Sequence, residues 1–279
     1  GSEQQKASLL PAIVGGELLM SLALDEHSLH NPSHIETTAS RTSDGFELNG
    51  KKTFVLDGHV ANQFIVVARS SGDHDSKEGI SLFLVDSGST GVTVTRTLMV
   101  DSRNAAKISL DKVAVTEADV LGELDKGFVG LDGVLDIARI GLAAEMLGSI
   151  REVFERILEY LKQREQFGVL IGSFQGLQHR AANMYSEIEL CKSVVRAALS
   201  ALDDSEKGGQ EISELASIAK AKLSEVFMLV SNEGIQMHGG IGMTDEFDIG
   251  FFLKRARVAQ QFLGDASFHR DRYASLKNF

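Results

Sequence analysis

Two short stretches carry residue types suited to binding a phosphorylated ligand. The first is Arg164-Glu165-Gln166-Phe167-Gly168, which closes a long apolar-periodic segment and is followed by Ile171-Gly172-Ser173-Phe174-Gln175. A guanidinium on a rigid turn pairs with phosphate through two parallel N–H donors, although an arginine at a helix C-terminus also serves simply as a partner for the dipole. The second is Gln236-Met237-His238-Gly239-Gly240-Ile241-Gly242. Such glycines either stop a helix or let backbone come close to a ligand. No strand precedes them, so this is not a dinucleotide fingerprint. His27, His30 and His34 have spacings that would suit metal ligation on a helix, but Pro32 breaks that periodicity and no cysteine or tight carboxylate set joins them. No metal is expected. His269-Arg270-Asp271-Arg272 reads as a solvated or interface helix face, and Cys191 as a packed mid-helix residue. No Gly-x-Ser-x-Gly elbow is present, so a serine hydrolase has no support.

The elements that must position these residues change character near residue 122. Between about 35 and 120, turn signals such as Asp44-Gly45, Asn49-Gly50 and Asp57-Gly58 separate short apolar runs. The runs 53–56, 63–68, 80–85, 91–96, 107–110 and 113–115 read as antiparallel strands of a barrel or sandwich. From about 130 onward the period is helical. Ile150, Val153, Phe154, Ile157, Leu158 and Leu161 recur at steps of three and four. Segments 174–202 and 211–237 repeat the pattern, with Ser173 as a candidate N-cap. A fourth stretch runs from about 245 to 275 with a weak point at Gly264, and 203–210 is a loop. Four long helices with short links make an antiparallel bundle. The first residues read as a short helix, Glu3 to Leu10, ending near Pro11. The fold class is therefore α+β, divided into a helical remnant at 1–17, a β domain at 18–122 and a helical bundle at 123–279.

The chain has 279 residues, and 28 Lys plus Arg against 39 Asp plus Glu give a formal charge of −11. That balance argues against nonspecific binding to nucleic acid or an anionic membrane, even with Lys254, Arg255 and Arg257 close together. A single cysteine excludes an internal disulfide and suits the cytoplasm. No apolar run reaches the roughly 18 residues of a membrane span. The start, Gly1-Ser2-Glu3, has no signal-peptide character and no initiator Met, as expected for a processed chain or a fragment.

Taken in order, Leu48-Asn49-Gly50-Lys51-Lys52, Tyr160 to Gly168 with Ile171 to Gln175, and Gln236 to Gly242 resemble the acyl-CoA dehydrogenase family over nearly the whole chain. The opening, Gly1 to Lys6 with Leu10-Pro11, resembles the segment that ends the family's N-terminal helical domain, most of which the resemblance implies is missing here. It further implies α,β-dehydrogenation of an acyl-CoA thioester with FAD as hydride acceptor, a homo- or hetero-tetramer built as a dimer of dimers, and an electron-transfer flavoprotein as redox partner. In the family each FAD lies across a subunit interface. Carried over, Arg164, Phe167, Gln175, Gln236, Gly239 and Gly240 would hold the ADP part of the neighbour's FAD, and Asp136 and Arg139 would line the acyl-CoA channel.

The chain departs from the family where the chemistry is done. Leu263, in Phe262-Leu263-Gly264-Asp265, stands where relatives carry the catalytic Glu, and Ala138, before Arg139, occupies the alternative base position. Neither accepts a proton. Asp265 and Glu145 are the nearest substitutes. Phe54-Val55-Leu56 replaces the family's Trp-x-Thr beside the flavin ring, and Asp25 to Pro32 replaces its Thr-Glu-Pro-x-x-Gly-Ser-Asp loop. The half-site a subunit uses for its own flavin is eroded, whereas the half-site it lends is kept. The resemblance therefore implies a non-catalytic subunit of a heteromeric enzyme. The alternatives are an active homotetramer with a displaced base, or a binding protein on the same fold.

Overall fold

The computed structural model describes residues 1–204 and 206–279, and its contacts divide it into Gly1–Asp132 and Gly133–Phe279. The sequence expectation of a loop over 203–210 includes Ser205, which lies outside the described residues.

The first unit opens with helix α1 (Glu3–Val14), started by a capping box in which the Ser2 hydroxyl accepts from the Gln5 amide and the Gln5 side chain accepts from the Ser2 amide. The helix runs past Pro11 rather than ending there. A proline forfeits its own N–H bond but keeps a helical φ, and the stop comes at Gly15-Gly16, where Gly16 has φ 72°. Seven strands follow: β1 (Met20–Ala23), β2 (Thr38–Arg41), β3 (Phe46–Leu56), β4 (Gln63–Arg69), β5 (Ile80–Asp86), β6 (Val92–Leu98) and β7 (Asn104–Val115). They form one sheet in the order β1-β4-β2-β3-β7-β6, with β5 also on β4. Most pairs are antiparallel, as expected, but β1 and β2 both pair with β4 in parallel. The runs 107–110 and 113–115 are a single strand. A bulge opposite Asn49 joins them, with Lys112 at φ 53° donating its N–H to the Asn49 Oδ1 at 2.8 Å. Alternate residues of these strands, including Leu48, Phe64, Val66 and Ile108, fill the core, where Phe46 meets Phe83 edge-on at 5.3 Å.

Two buried cations fix the loops of this unit. Lys52 is enclosed and donates to the Leu24 carbonyl (3.1 Å) and Glu26 Oε1 (2.7 Å). Glu26 in turn accepts from the amides of Glu36 (2.6 Å) and Thr37 (2.9 Å). Burial alone would raise its pKa, but the Lys52 charge and these bonds hold it below the usual carboxylate range. Arg69, also buried, donates to the carbonyls of Ser33, Ile35, His74, Ser76 and Glu78, so one guanidinium gathers the 33–35 and 74–78 segments.

The second unit is helical. α2 (Gly127–Gln163) begins just before the divide, a two-strand hairpin of β8 (Glu165–Gln166) and β9 (Val169–Leu170) follows, then α3 (Gln175–Asp203), α4 (Gly209–His238), α5 (Ile249–Gln261) and α6 (Ala266–Leu276). The predicted periodicity is the buried face. Ile150, Val153, Ile157 and Leu161 of α2 pack inward, as do Met184, Ile188, Cys191 and Val195 of α3. Burial pushes the Cys191 thiol up to about 12, which leaves it inert. The expected fourth helix is two. The chain breaks at 262–265, where Leu263 and Gly264 take φ 62° and 97° and the Asp265 carboxylate caps α6 through the Phe268 amide. Ser173 is not an N-cap. Phe174 holds that place, and the Ser173 hydroxyl donates to the Leu170 carbonyl.

Candidate functional site

The end of α2 and the end of α4 share a cleft of about 350 Å³, lined by Arg156, Glu159, Tyr160, Gln163, Arg164, His238, Phe247, Asp248 and Ile249. Its wall is an aromatic stack. Tyr160 lies on His238 with centroids 4.3 Å apart, and Phe247 meets both rings edge-on. Tyr160 Oη donates to the His238 carbonyl (3.2 Å), and His238 Nδ1 bonds the Gly234 carbonyl (2.7 Å), which places the ring proton there. Burial lowers the His238 pKa, which favours the neutral ring.

Two arginines in this cleft differ in how they are engaged. Arg156 is tied to Glu152 at 2.7 Å and to Asp248. Arg164 is exposed, and among the described residues its side chain makes no hydrogen bond or ion pair. Its backbone is nevertheless fixed, because its N–H bonds the Tyr160 carbonyl and its carbonyl accepts from the Ile171 amide, each at 2.9 Å. The hairpin it begins turns through Phe167, which is 92% exposed at φ 57° and touches Phe174 only edge-on at 6.2 Å. Gln175 opens α3 and Gln236 lies in the last turn of α4; both are exposed, with side chains unbonded among the described residues.

The glycines after α4 differ among themselves. Gly239 ends the helix at φ 68°, a conformation a Cβ disfavours. A Cβ on Gly242 would meet the Ile235 carbonyl at 2.8 Å, so the fold itself requires glycine there. A Cβ on Gly240 would meet nothing within 4 Å. The chain's own packing does not explain that glycine. Arg164, the two glutamines and the Gly239-Gly240 backbone therefore offer unengaged donors and open space, and they suit the phosphate and adenosine end of a dinucleotide.

Asp136 and Arg139, expected to line an acyl channel, are enclosed by their own unit at 2% and 0% exposure. Arg139 Nη1 bonds Asp136 Oδ1 at 2.8 Å, and Asp136 Oδ2 accepts from Arg272 (2.8 Å) and Ser213 (2.5 Å). Around them, buried nitrogen donors converge on the break between α5 and α6. Arg139 and His269 both donate to the Leu263 carbonyl, and Lys220 donates to the carbonyls of Gly264 (2.7 Å) and Gln260 (3.2 Å). Burial, with the Arg139 charge beside it, lowers Lys220 to about 7. Burial and the same charge lower His269 to about 2. The expectation of a solvated 269–272 face is thus corrected for two of its residues. His269 and Arg272 sit one turn apart and both face inward, whereas Arg270 pairs with Glu225 on the surface. Lys220 was legible in principle, as a charge inside the apolar stripe Ala219-Lys220-Ala221.

The acids proposed as substitute bases are both occupied. Asp265 accepts from the Phe268 amide at 2.9 Å, and Glu145 pairs with Arg255 at 2.7 Å. In the β unit Phe54 is half-buried at φ 53°, on a bulge between Lys52 and Val55. The neighbouring loop brings His27 and His34 to Glu36, and sends His30 to Asp25 instead (2.8 Å). Sequence spacing singled out His27 and His34 but not Glu36, whose approach depends on the fold of the loop.

Residues 25–113 match the family described as acyl-CoA dehydrogenase, middle domain, and residues 125–275 match acyl-CoA dehydrogenase, C-terminal domain. The 3-(aryl)acrylate reductase of Clostridium sporogenes is 32% identical, over 95% of this chain and 70% of its own length. The crystal structure of acyl-CoA dehydrogenase from Geobacillus kaustophilus superimposes with a TM-score of 0.93 at 29% identity, covering 100% of this chain and 74% of the other. A structure of PigA with FAD and proline superimposes at 0.92 and 25% identity, covering 100% and 72%. Among the described residues no helix is long and apolar enough to cross a membrane.

Proposed function

The chain belongs to the acyl-CoA dehydrogenase family, and on that footing we propose that it is a flavin-dependent family member acting as the non-catalytic subunit of a heteromeric acyl-CoA dehydrogenase. Its helical unit would lend the ADP half of an FAD site. The observation that carries this reading is the contrast between Arg164, exposed and without a side-chain partner among the described residues, and position 263, a buried leucine with every nearby acid engaged. Arg164 would pair with the pyrophosphate, Phe167 would cover an apolar face of the cofactor, and Gln175 and Gln236 would donate to its polar edges. Gly239 and Gly240 would let the backbone approach. FAD, when bound, supplies the hydride acceptor for an α,β-dehydrogenation. On this chain's own side the α proton has no acceptor. Leu263 and Ala138 cannot take it, and Asp265 and Glu145 are committed to a helix cap and an ion pair.

A two-part assay tests this. The chain is mixed with FAD, alone and with a co-expressed catalytic family member, and flavin retention is read by absorbance after gel filtration. Turnover is then measured in both directions, with butyryl-CoA oxidised by an artificial acceptor and an arylacrylate substrate reduced. The expected result is flavin retained with the partner, and no turnover by the chain alone. Bleaching of flavin by acyl-CoA on the isolated chain would overturn the proposal.

A further inference from the structure

In the β unit three donor atoms face one another across a small gap. His27 Nε2 lies 3.4 Å, and His34 Nε2 3.3 Å, from the same Glu36 Oε1, and all three atoms fall within 4.8 Å of one another. These are long for hydrogen bonds. The two distances to Glu36 match edges of a coordination tetrahedron, which are about 3.3–3.4 Å when zinc lies about 2.0–2.1 Å from each ligand.

His34 presents one ring nitrogen to each of two carboxylates. Its Nδ1 sits 2.5 Å from Asp75 Oδ1, and its Nε2 faces Glu36 Oε1 at 3.3 Å. With Nδ1–H held by Asp75, a metal ion would take the place of a proton on the Nε2 side. A carboxylate bonded to the far nitrogen of an imidazole is also the usual support for a metal-ligating histidine.

The ligands are held by the rigid parts of the unit. Glu36 follows the loop that buried Glu26 fastens through the Glu36 and Thr37 amides, and Lys52 anchors Glu26. Asp75 lies on the segment that Arg69 grips through the His74 and Ser76 carbonyls, and the same guanidinium holds the Ser33 carbonyl beside His34. Both sides of the site therefore hang from enclosed ion and hydrogen-bond anchors.

We propose that His27, His34 and Glu36 bind a divalent transition-metal ion of the zinc type, with Asp75 positioning His34 and the remaining coordination place open to water or an added ligand. Two imidazoles with one carboxylate favour zinc and its neighbours over magnesium or calcium, which take oxygen donors.

The test is isothermal titration of the metal-stripped chain with zinc chloride, and separately with magnesium chloride. The expected result is one saturable zinc site per chain and no magnesium heat. Asp75→Asn should weaken zinc by about 10–100-fold, and His34→Ala by more. His27→Ala and Glu36→Gln change side chains that are about half exposed (52% and 54%), so they keep the fold if His34→Ala does not; each should weaken zinc at least as much as Asp75→Asn does. X-ray absorption of the zinc-loaded chain should show imidazole ligands. No saturable zinc binding up to about 1 mM, or binding unchanged in His27→Ala and Glu36→Gln, overturns the proposal.

Discussion

His269 should make this protein acid-sensitive in a way that one substitution removes. The ring is wholly enclosed, its Nε2 donates to the Leu263 carbonyl at 2.9 Å, and its Nδ1 has no hydrogen-bond partner among the described residues. Arg139, Lys220 and Arg272 stand around it. A second ring proton would bring a like charge into an enclosed site, so burial and those cations hold the pKa at about 2. In the unfolded chain the same ring titrates near 6.5. Between these values the unfolded chain binds a proton that the folded chain does not. Stability therefore falls as the pH drops below about 6.5, by about 1.4 kcal/mol per pH unit, and levels off only near pH 2. Above 6.5 the group contributes no pH dependence. From pH 7 to pH 5 the loss from this residue is about 2 kcal/mol. The assay is urea unfolding at both pH values for the parent chain and for His269→Gln, whose amide can still donate to the Leu263 carbonyl but cannot titrate. Carboxylate contributions are common to both proteins and cancel in the comparison. The parent should lose about 2 kcal/mol more than the variant over this interval. Parallel losses would show that the ring accepts its proton in the fold, and that the cationic enclosure argued here is wrong.

Four other outcomes follow from the same geometry. Lys52→Met leaves Glu26 buried without its cation and should destabilise the chain by about 3–5 kcal/mol in urea unfolding. Gly242→Ala should destabilise by about 1–3 kcal/mol, because its Cβ has a carbonyl oxygen at 2.8 Å. Gly240→Ala, facing open space, should stay within about 0.5 kcal/mol and instead reduce flavin retention in the two-subunit mixture. Arg164→Ala should likewise leave the unfolding midpoint unmoved while weakening FAD by about 1.5–3 kcal/mol, or roughly 10–100-fold. A large stability loss in Arg164→Ala would mean that the side chain serves the fold instead.

What could be read ahead of the structure followed from local rules. The helices of the second unit show a period of 3.6, and their buried stripes are the residues the spacing picks out, down to Cys191. The break at Gly264 was marked by its glycine, yet the left-handed Leu263 beside it was not, because a leucine there is held by tertiary bonds to its carbonyl. β1 and β2 escaped notice for a related reason. Each has four residues, and Thr38–Arg41 buries only Ala39, too little to show alternation. Their parallel pairing with β4 depends on where a distant strand lies, which no local pattern encodes. Arg164 and Gly239 were legible because each owes its place to a helix end. The approach of Glu36 to His27 and His34 was not, since it depends on a turn at Pro32 and on anchors at Glu26 and Arg69.

Position 263 is a buried leucine, and the described acids beside it are engaged. A base there would require a carboxylate free to turn toward the α5–α6 break. Asp136 already accepts from Arg139, Arg272 and Ser213, and Asp265 holds the first turn of α6. The groups that do converge on the break are the cations Arg139 and Lys220 and the neutral His269 ring, and carbonyl oxygens at 260, 263 and 264 accept from them. Asp136 balances Arg139 and Arg272, and backbone carbonyls, together with a Lys220 pKa lowered to about 7, lessen the cost of the remaining charge. The surroundings of Leu263 are thus hydrogen-bonded around an apolar residue, and this arrangement supports the proposed role of a subunit that leaves proton abstraction to another chain.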